Sequence, residues 1–501
     1  MTIAVVLSGA AAFAEGDGRP DESELFGAPA EAEGSGVDRA EATSPEAGGR
    51  PDEADLFGGG DPGTTNVTTT ATATATATPA ASRDGISGII DRFATDEAKD
   101  DPLDIGGLFY QQLTAMSRAG QGLGATQLSA PTIVDAYLDA RPNDRLRANI
   151  TARLRYDALQ GDASELASSF TGASQDNPSI ALDQLWLRFD ILRTVFVTAG
   201  KQHVKWGTAR FWNPTDFLHP QRRDSLALFD VRTGTNMVKF HVPWEATGAN
   251  FYAVALLDDF PSGTAGTFGG LGGALRAEWV LGTAEFGVDA VLQNNRRPRY
   301  GFDFSSALGP FDVYGEAALR AGPYSRFQQV QTPFGPSLEL QEQGDRSVSA
   351  AGGLTWTFAY TDNDTATVGV EYFYNQPGYE NSDLYMGLLV NRAFQPLYTG
   401  QHYAAFYALV PGPGSWDDTN IIVSNLGNLS DRSFVARLDV TQRVLSYLTV
   451  EANVSAYYGN PNGEFRLRLD LPSMQRGDEF VPGFTVPEQR FSAGLALRME
   501  I

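Results

Sequence analysis

The sequence predicts an all-β fold: a transmembrane antiparallel β-barrel of about eighteen strands, with sixteen as the alternative, behind a disordered acidic N-terminal tail. Three observations carry that prediction. Apolar and polar residues alternate with period two from about residue 108 to the end, tight turns and longer loops alternate between those segments, and no apolar run reaches the roughly 18 residues of a membrane-spanning helix. The 53 glycines and 11% aromatics suit a large antiparallel sheet. With no cysteine among 501 residues there is no disulfide framework and no thiolate metal site, and a formal charge of -24 argues against nucleic acid as a partner.

Taken in order, residues 1–14 read as a signal peptide, truncated at its start. An apolar run from Ile3 to Phe13 ends in Ala12-Phe13-Ala14, the small-x-small pattern of secretory cleavage, but no basic residue precedes it. Residues 15–104 are rich in Ala, Gly, Pro, Thr, Asp and Glu, a composition that cannot offset the entropy of ordering. Counting 21 acids against 6 bases from Glu15 to Ile105 gives -15, so most of the excess charge lies in this tail, expected in the periplasm. It carries one motif twice, "GRPDESELFG" and "GRPDEADLFG". Leu25-Phe26 and Leu56-Phe57 are candidate docking side chains for a periplasmic protein, two copies adding avidity. "ISGIIDRF", 86–93, has helical spacing.

From 105 to 501 the chain reads as the barrel. In "LRANITARLRYDA" Leu146, Ala148, Ile150, Ala152, Leu154 and Tyr156 share one face and Arg147, Asn149, Thr151, Arg153, Arg155 and Asp157 the other. Eighteen such segments fit the chain, and the short gaps ("RPND", "LRT", "EATG", "LGT", "TDND", "LSY") alternate mostly with longer ones (159–179, 207–234, 323–346, 376–400, 460–488). Short turns on one side and long loops on the other are the pattern of an outer-membrane barrel with both ends at the periplasmic side. Tyr156, Trp186, Trp206, Trp244, Trp279, Tyr300, Trp356, Phe358, Tyr372, Tyr374 and Tyr458 are candidates for the interfacial girdles.

Alternation also assigns charge to the lumen. A strand over 195–206 puts Lys201, His203 and Lys205 on one face, expected to point to water. Lys239 and His241 follow on the next strand, with Arg188, Arg147, Arg153 and Arg155 on the preceding two. Facing strands carry Glu285, Asp289, Asp303, Asp312 and Glu316, with Glu371 and Glu451, so the expectation is a basic arc opposite an acidic wall and a transverse field between them. The loop 207–234 holds Arg210, His219, Arg222 and Arg223 among Phe211, Trp212 and Phe217. It is expected to fold into the lumen as a basic constriction, with Trp212 stacking on sugar faces.

At these residues "VTAGKQHVKWG" followed by "NPTDFLHP" resembles the signature of large outer-membrane porins of the alginate-export group and related eighteen-stranded substrate-specific channels. The match falls on Gly200, Lys201, Gln202, Trp206, Gly207, Asn213, Pro214 and Asp216. The resemblance implies passive passage of a small or acidic solute through a basic lumen. No Gly-x-Ser-x-Gly or His-Glu-x-x-His occurs, and the lysines beside His203 and His241 repel a cation, so the chain reads as neither an enzyme nor a metal protein, with no cofactor. The expected partners are outer-membrane lipid and small anionic or saccharide solutes. A scaffold that recruits an envelope complex through the tail is the alternative function.

Overall fold

A computed structural model describes residues 102–159, 177–219, 221–223, 225–226, 232–257, 271–294, 296–332, 335–362, 364–471, 474–476, 479–481 and 484–501. The leader, the tail to 101 with both Leu-Phe motifs, and the helical spacing at 86–93 lie outside them.

Eighteen antiparallel strands form one closed sheet: β1 Leu103–Arg118, β2 Pro131–Asn143, β3 Leu146–Asp157, β4 Ser179–Ile191, β5 Val195–Gln202, β6 Thr235–Trp244, β7 Ala249–Leu256, β8 Gly272–Leu281, β9 Ala284–Gln293, β10 Arg299–Leu308, β11 Phe311–Thr332, β12 Gly335–Ala359, β13 Thr365–Asn375, β14 His402–Pro411, β15 Thr419–Asn428, β16 Ser433–Leu445, β17 Leu448–Gly459 and β18 Gln489–Glu500. Each pairs with its sequence neighbour, and β1 closes the ring on β18 from Leu108↔Glu500 to Arg118↔Gln489. The three-residue strand Gln127–Ser129 pairs with Thr114–Met116 of β1 on its other edge, in line with β2. Closure leaves no sheet edge, the condition for a strand-built element in hydrocarbon.

Which face meets lipid follows from what is exposed. Leu113, Ile150, Leu154, Leu185, Leu187, Phe240, Leu275, Val288, Phe302, Val370, Phe406, Val423, Leu438, Val454 and Leu495 all stand exposed on one side of the wall. Register keeps them together around the ring, as in Ile150↔Leu185, Val288↔Phe302 and Leu438↔Val454. An apolar belt of this extent does not occur on a soluble monomer, and most of the strands have the length needed to cross a bilayer. Tyr156, Trp244, Tyr300, Trp356, Tyr372 and Tyr458 are exposed at its borders as expected, but Trp186 and Trp206 are buried. Trp186 points inward because it pairs with Asn149 on the polar face of β3, and its Nε1 donates to Gln184 Oε1 at 2.9 Å.

Three boundaries differ from the sequence reading. β1 begins at Leu103, so the tail ends sooner than 104. β5 stops at Gln202 rather than 206. The segment 323–346, expected as a loop, continues β11 and β12 as one long hairpin beyond the belt, where "SLELQEQ" keeps the alternation of a strand. Both ends of the described chain meet on the short-turn side, where Gly107 and Ile501 exchange backbone hydrogen bonds of 2.8 and 2.9 Å.

Candidate functional site

The described residues between His203 and Gly234 leave the wall at β5 and cross the interior. Gly200 and Gly207 make that departure possible. Gly200 sits at φ 131° with its backbone so close to β4 that a Cβ would lie 2.1 Å from Leu185 O, and Gly207 sits at φ 97° where a Cβ would meet the Glu316 carboxylate. An L side chain fits neither place.

Two carboxylates of the far wall then hold the loop by its backbone. Glu316 Oε2 on β11 accepts from Thr208 N at 2.9 Å and Thr215 Oγ1 at 3.0 Å. Glu371 on β13 accepts from three successive amides, Arg210 N at 2.8, Phe211 N at 3.0 and Trp212 N at 2.9 Å, and from Tyr314 Oη at 2.8 Å. A carboxylate cradled by consecutive N–H groups forms charge-assisted bonds, about twice as strong as neutral ones. Further along, Arg299 donates to Phe217 O at 3.0 Å and Arg437 on β16 to Leu226 O at 2.6 Å.

The loop also packs two apolar faces onto the wall. Phe211 and Trp212 join Tyr314, Phe373, Tyr403 and Tyr407, while Val204, Trp206, Phe217 and Leu218 join Met237, Leu256, Val291 and Ala318. Trp212 is fully buried, stacked on Phe373 with ring centroids 5.7 Å apart, and its Nε1 donates to Leu397 O at 2.9 Å. It therefore anchors the loop and has no face left for a sugar, contrary to the sequence expectation. Arg210 is likewise buried, its guanidinium over the rings of Tyr314 and Tyr407 at 5.9 and 5.6 Å.

The expected basic arc is placed as follows. Arg147, Arg153, Arg155, Arg188, Lys239 and His241 all stand on the inward register. Lys201 does not. It pairs with Leu185 and Asn236 on the outward face, in line with Val197 and Ala199, and its Nζ donates to Leu182 O at 2.7 Å. The apolar members of the alternation decide the face, and a single lysine at a strand end can lie along the wall and reach the interface. His203 lies past the end of β5, where its Nε2 sits 2.9 Å from Asp183 Oδ1 and its ring 5.5 Å from that of His219. Lys205 follows between Val204 and Trp206, half-buried at the start of the crossing. Arg223 is half-buried in the loop and Arg222 exposed.

Separation of charge across the lumen does not hold. Arg147 grips Asp139 with contacts of 2.9 and 2.7 Å, and Arg153 grips Asp135 at 2.8 and 2.7 Å with Asp183 at 3.6 Å, so much of the basic arc is neutralised by acids of β2 and β4. The acids Glu285, Asp289, Asp303, Asp312 and Glu316 do face inward. Yet Arg276 binds Asp303 at 2.7 Å and Asp289 at 3.2 Å, Thr355 donates to Asp312, and Glu316 is used by the loop. Counting bases strand by strand could not show these cross-strand pairs.

What remains is a cationic cluster on the wall expected to be acidic. Arg320 lies in the field of Arg222, Arg299 and Arg297. Among the described residues their partners are carbonyl, amide and hydroxyl oxygens and rings: Arg297 meets Gly322 O and Ser347 Oγ at 3.4 Å, Arg299 meets Gln293 Oε1 at 3.2 Å, Arg320 meets Ser349 Oγ at 3.5 Å, and Arg222 lies 4.2 Å over the Tyr398 ring. Phe217 of the loop sits between Arg299 and Arg320, 5.7 Å from each. Sequence reasoning missed three of the four because it tallied only acids on β10 and β11. The signal was there, since Arg299 and Arg320 share the inward register of Asp303 and Glu316.

No protein-family profile and no curated protein sequence matches the chain. Among solved structures, OprB of Pseudomonas putida, in a high-pH structure, aligns at 10% identity and a TM-score of 0.45 over 83% of this chain and 97% of its own. A triple mutant of the Rhodopseudomonas blastica porin aligns at 10% identity and 0.39 over 80% and 100%. Similarity at these scores fixes neither family nor cargo; the geometry of the wall and its loop has to carry the functional reading.

Proposed function

We propose that the chain is an outer-membrane channel of porin type, for passive diffusion of small anionic solutes, acidic sugars included. Selection would be exerted where Arg222 of the crossing loop faces Arg297, Arg299 and Arg320 of the wall. The observation that carries the reading is this cluster: four guanidinium groups, close enough to repel, without carboxylate partners among the described residues, while lumen bases such as Arg147 and Arg153 are paired. Holding like charges together without counter-charges costs stability; a passing anion offsets it. The tail then hangs in the periplasm, because β1 starts on the short-turn side. The affinity to the alginate-export group belongs here too: its matched residues build the departure of the loop, through Gly200 and Gly207, and Asp216 locks the loop internally with Arg232 at 3.0 Å.

Reversal potential across a planar bilayer in a salt gradient tests the reading. The wild-type protein should pass an anion-selective current, and Arg222→Glu with Arg320→Glu should reduce or invert the selectivity. A silent barrel would point instead to the envelope scaffold, and a cation-selective one would remove the cluster from the pathway.

A further inference from the structure

The outer, lipid-facing wall is not uniformly ridged. Across β12 to β17 one row of register runs Gly352, Tyr372, Ala404, Gly427, Phe434, Tyr458. Tyr372 stands as a ring on one side, the Phe434 ring lies over Gly427 and buries it, and the strand left almost without side-chain cover between them is β14 at Ala404. Neighbouring strands lie about 5 Å apart, so the gap is a slot rather than a face. It is part of a groove of about 550 Å³ that runs past Tyr372 to Gly352, Gly353 and Leu354 on β12, with Phe406 and Asn425 below and Leu429 above. Phe434 is fixed by stacking on Tyr458, centroids 5.2 Å apart, and Tyr372 by its hydroxyl 2.6 Å from His402 Nδ1, so both rings are held in place.

The Asn425 amide, on the apolar side of the wall, is tied back by its Nδ2 donating to Tyr458 Oη at 2.7 Å. One further feature points to an occupant. At the long-loop end, Arg432 is exposed in the tight turn between the lining residues Leu429 and Phe434, so a cation stands at the mouth of the slot.

We propose that this groove is a binding site for one acyl chain of an anionic lipid of the outer leaflet, the chain lying along β14 and β15 and the headgroup meeting Arg432. The medium facing this wall is lipid, the slot is one chain wide, and the charge at its mouth complements an anionic headgroup. A second copy of the barrel would offer a ridged apolar face that two standing rings hold away, and stable interfaces need about 800 Å² from each partner. The proposal does not depend on what the lumen conducts.

Native mass spectrometry of the full chain in mild detergent tests it, with dipalmitoyl phosphatidylglycerol and dipalmitoyl phosphatidylcholine as probes. The expected result is one retained phosphatidylglycerol per chain, bound more tightly than phosphatidylcholine. Ala404→Phe fills the slot and should weaken both lipids about tenfold while leaving conductance unchanged. Arg432→Asn, in a turn whose positive φ of 62° Asn tolerates, should remove only the preference for the anionic lipid. Equal retention by wild type and Ala404→Phe, an unchanged preference in Arg432→Asn, or a partner that proves to be a second copy of the chain would overturn the proposal.

Discussion

Glu371 shows how a residue's role depends on partners that sequence cannot display. Alternation placed it inward correctly, but as a member of an acidic wall; in the fold its oxygens are taken up by three loop amides and a tyrosine hydroxyl. Replacing it by Ala would orphan those donors at about 1–3 kcal/mol each. The expected outcome for Glu371→Ala is therefore a loosened loop, seen as larger and noisier single-channel current; an unaltered trace would mean that packing alone holds the crossing. Lys201 teaches the complementary lesson. Its charge suggested the lumen, yet Val197 and Ala199 beside it, opposite Phe240 and Val238, set the face. Lys201→Glu should accordingly leave the reversal potential where it is, whereas Arg320→Glu should move it toward cations.

At the scale of elements, the crossing loop was legible because exposed segments seldom carry Phe211, Trp212, Phe217, Pro214 and Pro220 together; what those side chains touch was not. Trp212→Ala removes a fully buried ring from the aromatic cluster on Phe373 and Tyr403 and should cost about 3–5 kcal/mol, measured as a lower midpoint of thermal or denaturant unfolding. If Trp212 instead served a saccharide, stability would hold and only solute passage would suffer. On the long-loop side another clasp ties three connections. Glu464 accepts from Tyr403 Oη at 2.6 Å and Asn428 Nδ2 at 2.7 Å and from the Leu397 amide, and its own amide donates to Asp431 at 2.7 Å. Burial, joined by the Asp431 charge, lifts its carboxyl from 4.5 to about 8. The folded clasp thus favours the protonated acid: its contribution is whole below 4.5 and is lost as pH rises through about 8. Protease cleavage within 376–401 should increase over that window and become flat in Glu464→Gln. Protection that grows with pH would contradict the assignment.

For the whole molecule, the eighteen strands were readable because most boundaries were fixed twice, by alternation and by the short-turn, long-loop rhythm, and a membrane barrel needs nothing more local than that. Segments where one signal failed were misjudged: β5 past Gln202, where alternation runs on into the loop, and the hairpin 323–346, where polar residues hid strands that stand clear of lipid. The lumen was less readable for a different reason. A charge's effect there is set by its cross-strand neighbour, and β2, β4 and β8 bring Asp135, Asp139, Asp183 and Arg276 to residues 8 to 27 positions away. The proposal is that the crossing loop and Arg222, Arg297, Arg299 and Arg320, which have no carboxylate partner among the described residues, make one anion-selective path. Reversal potential in a potassium chloride gradient, recorded for the wild type and for Arg222→Glu with Arg320→Glu, tests it most directly: the account predicts a chloride-selective wild type whose selectivity falls or inverts in the variant, and a wild type selective for potassium, or a variant with unaltered selectivity, would contradict it.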